Sequence, residues 1–160
     1  MARVYLGFGG NLGDVRATLA GVHAALPGEG VVVARQAPLY RTPPMGPPGQ
    51  PDYLNTVLEV DTALAPLEVL AAVKRIEAAL GRVPSVRWGP RALDLDVLLY
   101  DDATVALPTL TVPHAGLTQR RFVLAPLAAL VPDRVVPGTG RTVAEHLAAL
   151  SDDPASVVQL

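Results

Sequence analysis

Apolar and polar residues alternate with period two over Arg3–Phe8 (Arg-Val-Tyr-Leu-Gly-Phe) and again over Tyr53–Asp61, which predicts two strands. In the second, Leu54, Thr56, Leu58 and Val60 share one face, with Tyr53, Asn55 and Val57 on the other. Val31–Tyr40 predicts a further strand, and Asp94–Tyr100 another, with Leu93, Leu95, Val97 and Leu99 pointing one way and Asp94 and Asp96 the opposite way. Elsewhere the period is helical. Val15, Leu19, Val22 and Leu26 recur behind Asp14, a good N-cap. Pro66 opens a second helix with Leu67, Leu70, Val73, Ile76 and Leu80 inward, and Gly81 ends it. Short strands near Val105 and Leu110–Val112 follow, then helices near Phe122–Leu130 and Val143–Leu150.

The first six elements run β-α-β-β-α-β, the order of a ferredoxin-like split β-α-β unit. The fold expected is therefore α+β. Both early helices cover one sheet face, and the first strand lies between the third and the fourth. Tyr53, Asn55, Asp94 and Asp96 then share the uncovered face, with Gly7 between them leaving room for a ligand. The remaining C-terminal strands and helices decorate that face and make three α/β/α layers. A length of 160 residues suits one domain, 1–160.

Composition narrows the class. Half of the residues are apolar and 18% charged, which fits a packed globule and not a disordered chain. The absence of cysteine excludes disulfides and thiolate chemistry. With no apolar run of membrane-spanning length and a strand-like start in place of a signal peptide, the expected location is the cytoplasm. A net charge of −2 argues against a general nucleic-acid binder. Lys74–Arg91, however, holds five basic residues and the single acid Glu77. That cluster suits a small polyanion, or else is a solvated helix end and loop.

Carboxylates two apart on a strand lie about 6–7 Å apart at Cα, a spacing that can bracket a pair of hard cations. Arg87 and Arg91, on a Gly-Pro turn just upstream of Asp94 and Asp96, suit phosphate oxygens. No Walker A loop is present, since Lys74, the only lysine, lies in a helix without the required glycines. Gly7-Phe8-Gly9-Gly10-Asn11-Leu12-Gly13 misses the dinucleotide spacing by one place. Trp88, the only tryptophan, fits a core or a lid. His114 could contact phosphate, act as acid or base, or satisfy a turn. Tyr53 and Phe122 fit a core, or a sandwich around a flat ring. His23 and His146 sit in helices without partner motifs and read as structural. Arg41–Pro51, with five prolines and two glycines, is a stiff loop.

Together, Arg87-Trp-Gly-Pro-Arg-x-x-Asp-Leu-Asp-Val-Leu resembles the signature of the 6-hydroxymethyl-7,8-dihydropterin pyrophosphokinases of folate biosynthesis. Three further segments resemble that family in the same order. They are Gly9–Asp14, Tyr40–Pro44 with Gln50–Asn55, and Val112–His114 with Arg120–Leu127. The likeness runs from about residue 3 to 133 and covers the C-terminal helix weakly. Gly10, Thr109 and Ala115 depart from residues usual in the family, and the loop after Arg82 is poorer in basic residues.

The resemblance implies transfer of a pyrophosphoryl group from ATP to the pterin hydroxymethyl oxygen, with release of AMP. It implies that Asp94 and Asp96 hold two Mg2+ ions and that Arg82 and Arg91 act catalytically on phosphate oxygens. Glu77, Trp88, Arg91, Val97, Thr111, His114 and Arg120 are the implied ATP contacts, Val97 beside adenine. Tyr53 and Phe122 would stack on the pterin and Asn55 pair with its edge, while Thr42, Pro43, Pro44, Met45 and Trp88 line its pocket. The implied partners are these small molecules, with no nucleic acid and no membrane, and the chain is expected to be a monomer. Two rival readings are a catalytically silent ferredoxin-like binding module and a palm-like nucleotidyltransferase. Intact Asp94, Asp96, Arg82 and Arg91 oppose the first, and the absence of a nucleic-acid track opposes the second.

Overall fold

The computed structural model describes residues 1–44, 48–81 and 93–160. Eight strands and four α-helices follow one another as β1 (Ala2–Gly10), α1 (Val15–Ala25), β2 (Val31–Gln36), β3 (Tyr40–Thr42), β4 (Tyr53–Thr62), α2 (Pro66–Ala79), β5 (Asp94–Tyr100), β6 (Val105–Ala106), β7 (Thr111–Val112), α3 (Arg121–Leu130), α4 (Val143–Ala148) and β8 (Val158–Gln159). The main sheet has the order β5-β1-β4-β3-β8, and β2 also pairs with β4. The first strand thus lies between the third and fourth strands of the predicted six-element unit, as the order of elements implied. The predicted strand over 31–40 is two strands, both paired with β4. Pro38, without an N–H, separates them, and the Ala37 N–H still reaches the Val57 carbonyl at 3.0 Å.

Local signals set the helix ends. The Asp14 carboxylate accepts a hydrogen bond from the Ala17 N–H at 3.1 Å, capping α1. Pro66 begins α2, the Glu68 carboxylate accepts from the Ala65 N–H at 2.8 Å, and Gly81 follows with φ +92°. Inside α2 the buried stripe is Val69, Ala72, Val73, Ile76 and Glu77. Leu67, expected inward, is 47% exposed. It lies two residues before Val69, about 200° round the helix from that stripe.

The sheet separates two apolar cores. On one side Val4, Leu6, Phe8, Leu58, Val60, Leu95 and Val97 pack with Val15, Leu19 and Val22 of α1 and Val69, Val73 and Ile76 of α2. On the other, Tyr5, Val57, Leu98 and Leu99 pack with Val123, Leu124 and Leu127 of α3 and Val143 of α4. Each fully buried leucine contributes about 1.5–3 kcal/mol. Leu99 was expected beside Leu95 and Val97. In the structure Tyr5 pairs with Leu99 and Leu6 with Val97, so Leu98 is an extra residue in β5. That bulge moves Leu99 to the face of Tyr5. Among the described residues, no helix is long and apolar enough to cross a membrane.

Where the second face meets the start of β1, a carboxylate is buried with its compensation. Glu59 is 2% exposed and accepts hydrogen bonds from Arg3 Nη1 (2.9 Å), Arg35 Nε (2.9 Å), Arg35 Nη2 (2.8 Å) and the Tyr5 hydroxyl (2.8 Å). Arg3 also donates to both oxygens of Asp61. The hydrogen-bonded guanidinium of Arg35 holds the Glu59 carboxyl below the usual range against the opposing effect of burial, helped by Tyr5 and the charge of Arg3. The folded chain therefore binds fewer protons at Glu59 than the unfolded chain does. The stability this supplies is complete above the unfolded value, about 4.3, and disappears as pH falls through the lower folded value. Because Arg3 and Arg35 are about half exposed, screening reduces the effect. Glu59→Gln is expected to destabilise by about 1–3 kcal/mol at pH 7. Urea titrations should show the gap between wild type and variant narrowing below about pH 4; a gap independent of pH would contradict the assignment.

Candidate active site

At the other end of the same face, beyond Tyr5, β1 carries Gly7 and Gly9 in place of side chains. Gly9 pairs with Asn55 of β4 and Asp94 of β5, and Gly7 with Val57 and Asp96. Over this bare strip opens a cavity of about 670 Å³. Its lining includes Asp94, Asp96, Tyr53 and Asn55 from the sheet, Thr42 and Pro43 from the end of β3, and His114, Arg120 and Phe122 from the later chain. Strand alternation alone accounts for the first four sharing a face.

The two glycines serve different contacts. A Cβ at Gly9 would lie 2.6 Å from Asn55 Oδ1, too close for any side chain while that amide stays in place. A Cβ at Gly7 would meet the Leu98 side chain at 3.3 Å. Gly7, expected to leave room for a ligand, thus makes room first for the bulged leucine. Asn55 is 7% exposed, and its Nδ2 donates to Thr42 Oγ1 at 2.8 Å, which orients the amide across Gly9. Asn11, 3% exposed in the β1–α1 turn, donates to Gln50 Oε1 (3.2 Å) and the Pro51 carbonyl (3.1 Å). It ties the returning arm of the proline-rich loop to the end of β1.

His114 follows β7 and is fixed by its own turn. Its main-chain N–H donates to the Leu98 carbonyl at 3.0 Å, and its Nδ1 accepts from the Gly116 N–H at 3.1 Å. With Nδ1 an acceptor, the proton of the neutral ring resides on Nε2, which lies 4.0 Å from Asp96 Oδ2. The Asp96 side chain is 51% exposed, so water solvates it and no buried charge arises. Arg120 lies against Gly116, where a Cβ would come within 2.5 Å of its Nε, and its guanidinium is 6.0 Å from the centre of the Phe122 ring. Cation and ring therefore flank the same opening.

Met45, Arg82, Trp88 and Arg91 lie outside the described residues, as does Arg87. Val97, expected beside adenine, turns its side chain into the core under α1 and α2 and is 3% exposed. Glu77 is on α2, on that same side of the sheet, where its carboxylate accepts from the Leu95 N–H at 3.3 Å and meets Lys74 Nζ at 3.1 Å. Neither side chain lines the cavity, because both belong to the opposite sheet face. Thr111, on β7, and Pro44 also fall outside its lining. Conversely, Gly9, Leu98, Arg121, Asp152, Ser156 and Val157 line it without having been expected there. The position of Arg121 beside Phe122 was a usable signal; the two-residue strand at the end of the chain offered none.

The donor set suits a hard divalent cation. Asp94 and Asp96 offer two carboxylates on one open strand face, and no group of three or more His, Asp or Glu suited to a metal occurs among the described residues. Mg2+ is commonly held that way, by one or two carboxylates with water and substrate phosphates filling the remaining positions.

A family model described as 7,8-dihydro-6-hydroxymethylpterin-pyrophosphokinase (HPPK) matches residues 5–132. The chain is 49% identical over 160 residues to a 2-amino-4-hydroxy-6-hydroxymethyldihydropteridine pyrophosphokinase of Methylorubrum extorquens, covering 98% of each. To the protein of the same name from Pseudomonas aeruginosa it is 45% identical over 150 residues, covering 92% of this chain and 91% of that one. Among solved structures, wild-type HPPK-DHPS of Plasmodium falciparum with SDX-DHP superposes with a TM-score of 0.72 at 14% identity. That likeness is one of fold: it covers 92% of this chain, which spans 43% of the larger one. The matched stretch contains the glycine strip, both carboxylates and the aromatic rim, and the chain belongs to the 7,8-dihydro-6-hydroxymethylpterin-pyrophosphokinase family.

Proposed function

We propose that this cavity transfers the pyrophosphoryl group of ATP to the hydroxymethyl oxygen of 6-hydroxymethyl-7,8-dihydropterin, a step of folate biosynthesis. The observation that carries the assignment of roles is the meeting of Asp94 and Asp96 with Asn55, Tyr53 and Phe122 in one cavity. Carboxylates for a cation and aromatics for a flat ring lie in one cavity. In the reaction the pterin hydroxyl attacks the β-phosphorus and loses its proton. The bond from that phosphorus to the oxygen shared with the α-phosphate breaks, and AMP leaves with the electron pair.

Asp94 and Asp96 would hold Mg2+, which when bound neutralises charge on the triphosphate. The remaining work falls to the protein's own groups. Tyr53 and Phe122 would take the two faces of the ring. One N–H of the Asn55 amide is engaged by Thr42, leaving its second N–H and its carbonyl for the ring edge. Such pairing is selective, because a ring lacking the matching groups leaves buried polar atoms unsatisfied. His114, with its proton on Nε2, would donate to a phosphate oxygen next to Asp96. Arg120 would add a positive charge at the same mouth, and Arg82 and Arg91 are proposed to follow the charge developing on the leaving phosphate.

Incubation of the protein with ATP, Mg2+ and the pterin should yield AMP and the pterin diphosphate; ADP as the main product would refute the reading. Asp94→Ala and Asp96→Ala are each expected to reduce kcat by about a thousandfold or more, and a chelator should abolish turnover of the wild type reversibly. Gly9→Ala tests the floor separately. Its methyl group must displace the Asn55 amide, so KM for the pterin should rise about tenfold with KM for ATP little changed. An unaltered pterin KM would remove Asn55 from ring recognition.

A further inference from the structure

Part of the cavity wall comes from the last few residues of the chain, beyond the stretch 5–132 that the family model matches. Asp152, Ser156 and Val157 line the opening together with Arg121 and Phe122. Two attachments hold this segment. After it, β8 pairs antiparallel with β3, Val158 opposite Arg41 and Gln159 opposite Tyr40, and the Leu160 N–H donates to the Leu39 carbonyl at 2.9 Å. Before it, the Asp152 carboxylate accepts from Arg121 Nε at 3.0 Å and Nη2 at 2.8 Å. Between them Asp153 accepts from the Ala155 N–H at 2.9 Å, closing a single 3-10 turn. The Arg121 side chain is only 11% exposed, so it is held in place along its length.

Each attachment sits beside a residue of the ring pocket. β3 ends in Thr42, which orients Asn55, and Arg121 immediately precedes Phe122 on α3. These two walls are about 80 positions apart in sequence, and 152–159 joins them directly. Contact between a flat ring and aromatic faces is short-ranged: a gap of 0.5–1 Å loses about a quarter to a half of the attraction. The distance between the walls therefore matters more to ring affinity than to triphosphate affinity, which depends on longer-ranged charge.

We propose that residues 152–159 are a strap that fixes the Phe122 wall relative to the Thr42 wall, with Arg121 and Asp152 as positioning residues that set affinity for the pterin. The proposal rests on the reading of the cavity as a pterin site. It is tested with the full chain by measuring the Kd of 6-hydroxymethyl-7,8-dihydropterin from its fluorescence, and KM for both substrates in the AMP assay. Arg121→Ala and Asp152→Asn should each weaken pterin binding about three- to fivefold, with KM for ATP unchanged. The double variant should be no weaker than the weaker single, since both remove one contact. Exchange of the charges (Arg121→Asp with Asp152→Arg) should restore affinity. A chain ending at Leu150 should bind pterin worse still; if it does not fold, the point variants decide. Unchanged pterin affinity in both singles, additive losses, or an equal rise in KM for ATP overturns the strap. A wild type that neither binds the pterin nor forms AMP overturns both this proposal and the reading beneath it.

Discussion

The site depends on a strand that lacks side chains where its neighbours need space. Along the face of β1 turned away from α1 and α2 come Arg3, Tyr5, Gly7 and Gly9. Register carries the same progression into the flanking strands. Opposite Arg3 and Tyr5 lie Asp61 and Glu59, inside an ion network; opposite Gly7 and Gly9 lie Val57 and Asn55 on one side and Asp96 and Asp94 on the other. The face thus passes from ion network, through the core under α3, to open cavity within about four residue pairs. No loop is needed to build this floor. A one-residue slip of β5 or β4 would send the carboxylates or Asn55 into the opposite core, and a slip of β1 would put Leu6 and Phe8 in place of the glycines, so the buried apolar side chains of that core hold the site in register.

Carboxylates on this face are stabilised in two different ways, and the difference separates scaffold from site. Glu59 is buried and surrounded by donors, so its charge is balanced within the fold. Asp96 instead stands half exposed to water at the cavity mouth. A group balanced internally has little left to offer a ligand. One balanced by water can exchange that water for a cation or for donors on a substrate. Position along the strand, and not residue type, decides which role an acid takes here.

Much of this was legible in the sequence because it follows from local periodicity. Alternation placed Tyr53, Asn55, Asp94 and Asp96 on one face, and Asp14, Pro66 and Gly81 marked helix ends that the structure retains. What escaped depended on contacts distant in sequence. The bulge at Leu98 arises from pairing with β1, and a run of leucines carries no sign of it. Glu59 reads as one more outward-facing acid until Arg3 and Arg35 converge on it from two other strands. Val97 and Glu77 carried expected nucleotide contacts, yet each faces the core under α1 and α2, as the strand period for the first and the helical stripe for the second require. β8 is two residues long, below the length at which a period can be read.

Floor and walls accordingly have different physical origins. The floor belongs to three neighbouring strands whose ladders share the stability of the whole sheet, and it can change only with the sheet. The walls are the end of β3, the first turn of α3 and the tail, joined by one strand pairing and one partly exposed ion pair. A ring bound between them would draw on alignment set by the sheet from below and on contact set by these two ties from the sides. That division suits a transfer reaction. The reacting oxygen must be held at fixed distance from the two carboxylates of the floor, whereas substrate entry and product exit require only that the two ties of the walls give way transiently.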